Sequence, residues 1–259
     1  MTIITLTTDL GLTDFYLSTI KGSILNQCPD AIIVDISHQI AKHDVFQASF
    51  IIKNAYRSFP PGTIHILGVN PETTIETTYL AIYADGHYFI GADNGIFSMI
   101  FDIKPDQIVE LNISQDSDFL TFPTKDIFVK AACHIARGGT LEVIGREKLN
   151  YSEKTMLRPV LDSNTLRGSV IYIDSYQNAF TNITETIFND AAKGREFNIF
   201  FRGSDYLVNK ICNSYNEVPE GEKLALFSST GYLEIAINKG SADELLGLQL
   251  NDIVRVEFK

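Results

Sequence analysis

No stretch of about 18 or more consecutive apolar residues occurs in the 259-residue chain, so no membrane-spanning helix is expected. The N-terminus lacks a basic region followed by a long apolar core and a small-residue cleavage site. A secretory signal is therefore not expected either. Cysteine is scarce: Cys28, Cys133 and Cys212 are widely spaced and form no C-x-x-C pair. An odd, scattered set gives no disulfide framework and fits a reducing cytoplasm, with each thiol read as a small buried hydrophobe. Clusters of Lys and Arg are also missing. With 21 basic against 32 acidic residues the net charge is −11, which argues against a nucleic-acid binder that must neutralise phosphates. Internal repeats and low-complexity tracts are absent. What remains is a chain suited to small-molecule chemistry, with no metal site or resident cofactor expected.

The composition, 45% apolar and 20% charged, is that of a globular protein able to bury a large core in one domain or two. Through the first half, strand-like and helix-like segments alternate. Residues 3–7, 31–36 and 63–69 are β-branched apolar runs. The stretch from His43 to Tyr56 carries a helix-period apolar face, and Ile127 to Arg137 is a helix stopped by Gly138-Gly139. Residues 78–83 and 87–90 read as a hairpin across Asp85-Gly86. This alternation predicts an α/β domain with a largely parallel central sheet over residues 1–150. Residues 151–165 are polar and irregular and read as a linker. From 166 to 259 short strands dominate, at 169–173, 196–201, 223–227, 232–237 and 252–258, which predicts a smaller, mainly β domain.

The most informative block is Thr7-Thr8-Asp9-Leu10-Gly11-Leu12-Thr13-Asp14-Phe15-Tyr16, followed by Lys21-Gly22. Asp9 falls where the first strand ends, and Gly11 permits a tight turn. Asp14 is expected to cap a helix over 15–26. Ligands of open parallel sheets bind at the carboxyl ends of strands, so Asp9 is a candidate ligand for sugar hydroxyls. The plainer alternative is a turn residue satisfying local N–H groups.

Further ordered blocks follow: Val34-Asp35-Ile36-Ser37-His38, Gly91-Ala92-Asp93-Asn94-Gly95, Ile173-Asp174-Ser175-Tyr176-Gln177-Asn178 and Ser228-Ser229-Thr230-Gly231-Tyr232-Leu233-Glu234. Together they resemble the S-adenosyl-L-methionine (SAM) hydroxide adenosyltransferases, relatives of the fluorinases and chlorinases, over essentially the full length. The resemblance implies an N-terminal α/β domain, a C-terminal β domain and a homotrimer whose ligand lies between neighbouring subunits. It implies hydrolysis of SAM to adenosine and L-methionine by attack at C5′. By the same resemblance Asp9 would hold the ribose hydroxyls, and Asp174 and Ser229 the methionine amino and carboxylate groups. Asn178 would read the adenine edge, and Tyr176 would lie on its face. Each has a local alternative: Asp174 and Asn178 could organise a turn, and Ser229 could sit in a hairpin loop with Gly231. Asp35 and His38 read as a pair organising the loop after the second strand, in preference to a metal or proton-transfer site.

The water-activating positions depart from the family pattern. An aspartate and an arginine are expected after the third strand, where this chain has Asn70 to Thr77 in Asn70-Pro71-Glu72-Thr73-Thr74-Ile75-Glu76-Thr77. A histidine is expected at Pro123 in Phe122-Pro123-Thr124-Lys125-Asp126. Asparagine is no general base, threonine carries no charge and proline offers no hydrogen-bonding side chain, so slow or absent turnover is expected. Thr124 and Lys125 are the candidates for replacement chemistry, with Glu72 a further one. Two functions are consistent with this pattern: a SAM hydrolase with a modified nucleophile site, or a non-catalytic SAM- or adenosine-binding homologue.

Overall fold

Strand β1, Ile3–Thr8, has Ile4 and Leu6 on one face and Thr5 and Thr7 on the other, as the two-residue period of a strand requires. It lies in the middle of the parallel half of a seven-stranded sheet in the computed structural model, which describes residues 2–72, 77–114, 120–201 and 207–259. The other strands are β2 (Ile32–Ser37), β3 (Ile64–Gly68), β4 (Tyr79–Ala84), β5 (His87–Ala92), β6 (Gln107–Leu111) and β7 (Gly145–Glu147). Their order is β2-β1-β3-β5-β4-β6-β7, with β2, β1, β3 and β5 parallel and β4, β6 and β7 antiparallel to their neighbours. Asp85 and Gly86, both at positive φ, turn β4 into β5 with Ala84 opposite His87, the two-residue hairpin expected of Asp-Gly.

Helices cover both faces. Helix α1 (Tyr16–Gln27) and helix α4 (Val129–Ala136) pack Ile20, Ile24, Val129 and Cys133 against Ile4, Leu6, Ile64 and Ile66. Helix α2 (Val45–Ala55) and helix α3 (Ile96–Ile100) pack Ala48, Ile52, Phe97 and Ile100 against Leu67, Leu80, Ile82 and Phe89. A short helix α5, Leu141–Ile144, precedes β7. Asp14 does not cap α1. Phe15 already has helical backbone angles at the N-cap position, no side chain caps the helix, and Asp14 stands one residue too early. Helix α2 is capped by Asp44, whose Oδ1 accepts from the Gln47 N–H at 2.9 Å. Helix α4 is entered through a π-helical turn, Thr124–Phe128, in which the Val129 N–H reaches back to the Thr124 carbonyl.

The chain divides into two compact units, Met1–Met156 and Leu157–Lys259. Within the stretch read as a linker, Tyr151 and Met156 pack on the first unit's core, and Val160–Asp162 forms strand β8, paired with β9 in the second unit. The second unit is mainly β. Its nine-stranded sheet comprises β8, β9 (Thr165–Ile173), β10 (Ala179–Thr184), β11 (Phe197–Phe201), β12 (Leu207–Val208), β13 (Ile211–Cys212), β14 (Lys223–Phe227), β15 (Tyr232–Ile237) and β16 (Ile253–Phe258). Helices α6 (Glu185–Ala192) and α7 (Ala242–Leu246) pack Phe188, Ala191, Ala242 and Leu246 into its core.

On the α2 side of the first sheet, His65 is fully buried. Its Nδ1 lies 2.7 Å from Thr5 Oγ1 and its Nε2 lies 3.3 Å from Nδ1 of the buried His87, with Phe89 stacked at 4.9 Å. Burial, and then the neighbouring His87, push the His65 pKa down to about 3, and burial lowers His87 as well. The His65 ring is therefore neutral in the fold down to about pH 3, whereas an unfolded imidazole takes up a proton below about pH 6.5. Stability is thus unaffected by His65 above about pH 6.5 and falls as pH drops from there toward 3, by up to ~1.4 kcal/mol per pH unit. The expected outcome is a lower urea midpoint at pH 5 than at pH 7.5. His65→Asn, which keeps a partner for Thr5, should flatten that dependence.

Candidate functional site

Strand β1 delivers Asp9 to the carboxyl edge of the parallel strands, almost fully buried at 5% exposure. One oxygen, Oδ2, accepts the backbone N–H of His43 at 2.9 Å and that of Asn70 at 3.4 Å. The Asp9 carbonyl accepts from Lys42 Nζ. Oδ1 accepts no hydrogen bond among the described residues. His43 and Asn70 are both non-glycine residues at positive φ, 65° and 45°, and their side chains meet, His43 Nδ1 standing 3.1 Å from Asn70 Oδ1. Asn94 supports the second loop from behind: its Nδ2 donates to the Val69 and Asn70 carbonyls at 3.0 and 3.1 Å.

These residues open onto a cleft of about 480 Å³. Asp9, Leu10, Tyr16, Lys42 and His43 line one side, Pro71 and Glu72 a second, and residues 120–124 the third. Pro123 and Thr124 thus lie on the cleft wall, both buried. Thr124 is seated against the end of β3, where a Cβ on Gly68 would come within 2.7 Å of Thr124 Cγ2 and 2.9 Å of its Oγ1. Lys125 points elsewhere: its Nζ pairs with Asp126 Oδ1 at 2.9 Å and it does not line the cleft. Asn70 reaches the site through its backbone and through His43, whereas Thr77 is not on the cleft wall. Thr73, Thr74, Ile75 and Glu76 of the same segment lie outside the described residues.

In the second unit, Asp174, Tyr176 and Asn178 share the turn between β9 and β10. Asp174 Oδ1 accepts the N–H groups of Tyr176 and Asn178 at 2.9 and 2.8 Å, and its Oδ2 takes Asn178 Nδ2 at 3.4 Å. Asp174 therefore does organise this turn. Asn178 is buried, while Tyr176 is 79% exposed. Ser229 is exposed in the β14–β15 turn, closed by Gly231 at positive φ. Since Ala179 pairs with Ile235 and Thr184 with Tyr232, that turn sits at the opposite end of β10 from Asp174. The fold brings three of the four second-half candidates together and leaves Ser229 apart.

Asp35 and His38 stand face to face, His38 Nε2 at ion-pair distance from Asp35 Oδ1. Burial disfavours the Asp35 carboxylate, but Lys21 at 2.6 Å and His38 Nε2 at 3.1 Å outweigh it and hold its pKa below the ordinary value. His38 Nδ1 also lies 2.8 Å from Thr8 Oγ1, and the His38 carbonyl accepts the Gly11 N–H, so the pair ties the ends of β1 and β2 together. The three cysteines are buried, and burial pushes the Cys133 thiol up to about 12. Among the described residues no His, Cys, Asp and Glu cluster could hold a metal ion, and no helix is long and apolar enough to cross a membrane.

Sequence reasoning missed His43 and Lys42. The Asp44 cap with Gln47 three residues later was the usable signal, since it starts helix α2 after Asp44 and leaves His43 in the loop that meets Asp9.

Two family descriptions match the chain: SAM hydroxide adenosyltransferase N-terminal domain over residues 4–145 and its C-terminal domain over residues 168–255. The chain is similar to an (R)-S-adenosyl-L-methionine hydrolase of Thermus thermophilus, with 28% identity over 96% of each chain. It is also similar to a fluorinase of Nocardia brasiliensis, with 25% identity over 92% of this chain and 91% of that one. A crystal structure of an uncharacterized conserved protein from Thermotoga maritima superposes with a TM-score of 0.90 at 27% identity, covering 98% and 99% of the two chains.

The contact between Gly68 and Thr124 gives a test of how the cleft wall is seated. Gly68→Ala should destabilise the protein by about 1–3 kcal/mol through overpacking. On a Thr124→Ala background, which removes the two nearest atoms the new methyl would strike and leaves only Thr8 Cγ2 at 3.2 Å, the same substitution should cost clearly less. A double-mutant cycle of urea midpoints reads this coupling directly.

Proposed function

The chain belongs to the SAM hydroxide adenosyltransferase family, and from that premise we propose that it binds SAM and hydrolyses it to adenosine and L-methionine. The observation that carries this reading is Asp9 in its cleft. Its Oδ2 is committed to the His43 and Asn70 loops, while Oδ1 accepts nothing among the described residues. A carboxylate has about four acceptor positions, so a ribose diol can still be held by charge-assisted bonds. The sulfonium is a good leaving group, and the protein's work is to align water behind C5′ and strip its solvent. No metal or resident cofactor enters this reading.

From the second half we assign the ligand contacts to the turn of Asp174, Tyr176 and Asn178. The amide of Asn178 offers a donor and an acceptor to an adenine edge, and the exposed Tyr176 ring offers it a face. Ser229, at the far end of β10, needs a separate part of the ligand to reach. Assembly as a homotrimer belongs to the same reading, since the family resemblance joins the two kinds of domain across subunits. Turnover is slow, because Asn70, Thr77 and Pro123 stand where the resemblance expects aspartate, arginine and histidine.

Incubating pure protein with SAM and separating the products should show adenosine and L-methionine appearing in equal amounts. Protein that neither binds nor cleaves SAM would overturn the reading. Asp9→Asn keeps an oxygen for the two loop N–H groups but removes the charge. It should weaken adenosine binding in calorimetry by roughly 10- to 150-fold, the equivalent of about 1.5–3 kcal/mol for one charged hydrogen bond. The triple variant Asn70→Asp, Thr77→Arg, Pro123→His should raise turnover by about 10²-fold or more if the ordinary water activation is what is missing. The Pro123 backbone, at φ −61° and ψ −30°, admits histidine without strain.

A further inference from the structure

We infer that His43 is the proton acceptor of this site. Its ring lines the cleft beside Asp9, with Nδ1 held at 3.1 Å by Asn70 Oδ1 and Nε2 left for the water that attacks C5′. This rests on the hydrolase reading and goes beyond it by naming the group that replaces the absent base.

Three features of the geometry support it. First, an amide oxygen accepts, so Nδ1 carries the hydrogen and a neutral ring then has its lone pair on Nε2. His43 Nε2 has no partner among the described residues. Second, the backbone that carries the ring is fixed. The His43 N–H is fixed on Asp9 Oδ2 at 2.9 Å, the residue is held at φ 65°, and the next residue, Asp44, caps α2. Non-glycine residues in this backbone region cluster at functional sites because the surrounding structure must hold them there. Third, the other polar groups of the cleft serve worse. Asp9 Oδ2 already accepts two N–H groups, its Oδ1 is the oxygen assigned above to the ribose diol, and Lys42 Nζ donates to the Asp9 carbonyl. Glu72 lines the cleft, yet among the described residues no hydrogen bond or ion pair orients its carboxylate. The Tyr16, Thr121 and Thr124 hydroxyls would each need a base of their own.

The step balances. The water oxygen forms its bond to C5′ as the C5′–sulfur bond breaks, and that bond's electron pair stays on sulfur, giving the neutral thioether of L-methionine. The water's proton passes to His43 Nε2. The resulting imidazolium keeps its Nδ1–H on Asn70 Oδ1 and returns the extra proton to solvent. Asn70 is thus a positioning residue for His43.

The test uses the full-length protein with SAM and two variants suited to the left-handed backbone, His43→Asn and His43→Gly. Binding of SAM and adenosine is measured beside turnover. The expected result is a fall in kcat of about 10²–10⁴-fold, or to the solution background. KM and adenosine affinity should stay within about threefold of wild type. Imidazole in the buffer should restore His43→Gly in a saturable way and leave wild type unchanged, a response that loss of a merely structural contact would not give. Wild-type kcat in both variants would overturn the proposal, and so would a loss of rate that follows loss of affinity and ignores imidazole. A wild-type protein that binds SAM without releasing adenosine would also overturn it, leaving nucleoside recognition intact. Failure to bind SAM or adenosine at all would remove the hydrolase reading on which it stands.

Discussion

Asp9 Oδ2 joins two loops that each carry a non-glycine residue at positive φ. A non-glycine residue at positive φ costs about 1–3 kcal/mol, and both His43 and Asn70 are in that region. A hydrogen bond to a charged group contributes about 1.5–3 kcal/mol, so the 2.9 Å bond from the His43 N–H is of the size needed to offset its strain, with the longer 3.4 Å contact from the Asn70 N–H adding less. The loop before α2 and the loop after β3 are thereby brought together over the end of β1. His43 meets Asn70 because their backbones share an anchor.

The surrounding structure keeps that anchor in place. Parallel β1 and β3 end side by side, with Thr8 opposite Gly68, so Asp9 and the Asn70 loop leave the sheet from adjacent points. Asn94 at the head of α3 holds the Asn70 loop through two carbonyls, and Gln47 of α2 holds the His43 loop by accepting the Ala41 N–H at 2.7 Å. Thr8 is tied to His38, and His38 faces Asp35, so the pair that looks like an acid–imidazole reaction centre acts as bracing for the strand that carries Asp9. The carboxylate divides its labour: one oxygen serves the protein, and the other accepts no hydrogen bond among the described residues.

Most of the scaffold was legible because its cues are local. β-branched runs marked β1, β2 and β3, Asp85-Gly86 marked the hairpin, and the change to short strands after residue 165 marked the second unit. Asp9 was legible as a strand-end carboxylate. Asp14 was misjudged because a cap depends on the backbone angles of its neighbour, which residue type does not reveal. His43 was hidden for a related reason. Its role comes from a positive φ and from partners 34 and 27 residues away, Asp9 and Asn70, and no spacing rule links the three. Asp174 and Asn178 could be read as turn formers or ligand holders, and the turn they build does not by itself choose between the two.

The π-helical turn at Thr124–Phe128 makes the length of the cleft wall adjustable. In an α-helix, inserting or deleting one residue rotates every later side chain by about 100° and would tear Val129, Ala132 and Cys133 from the core. A π turn is one residue more than its α-helical counterpart and confines that rotation to a single loop of backbone. Relatives could therefore gain or lose a residue between Phe122 and Val129 without moving α4. The side chain presented to the cleft would then change by sliding along the chain, with no substitution at any one position. Matching residues across this segment requires superposed backbones, since counting along the two chains can be off by one.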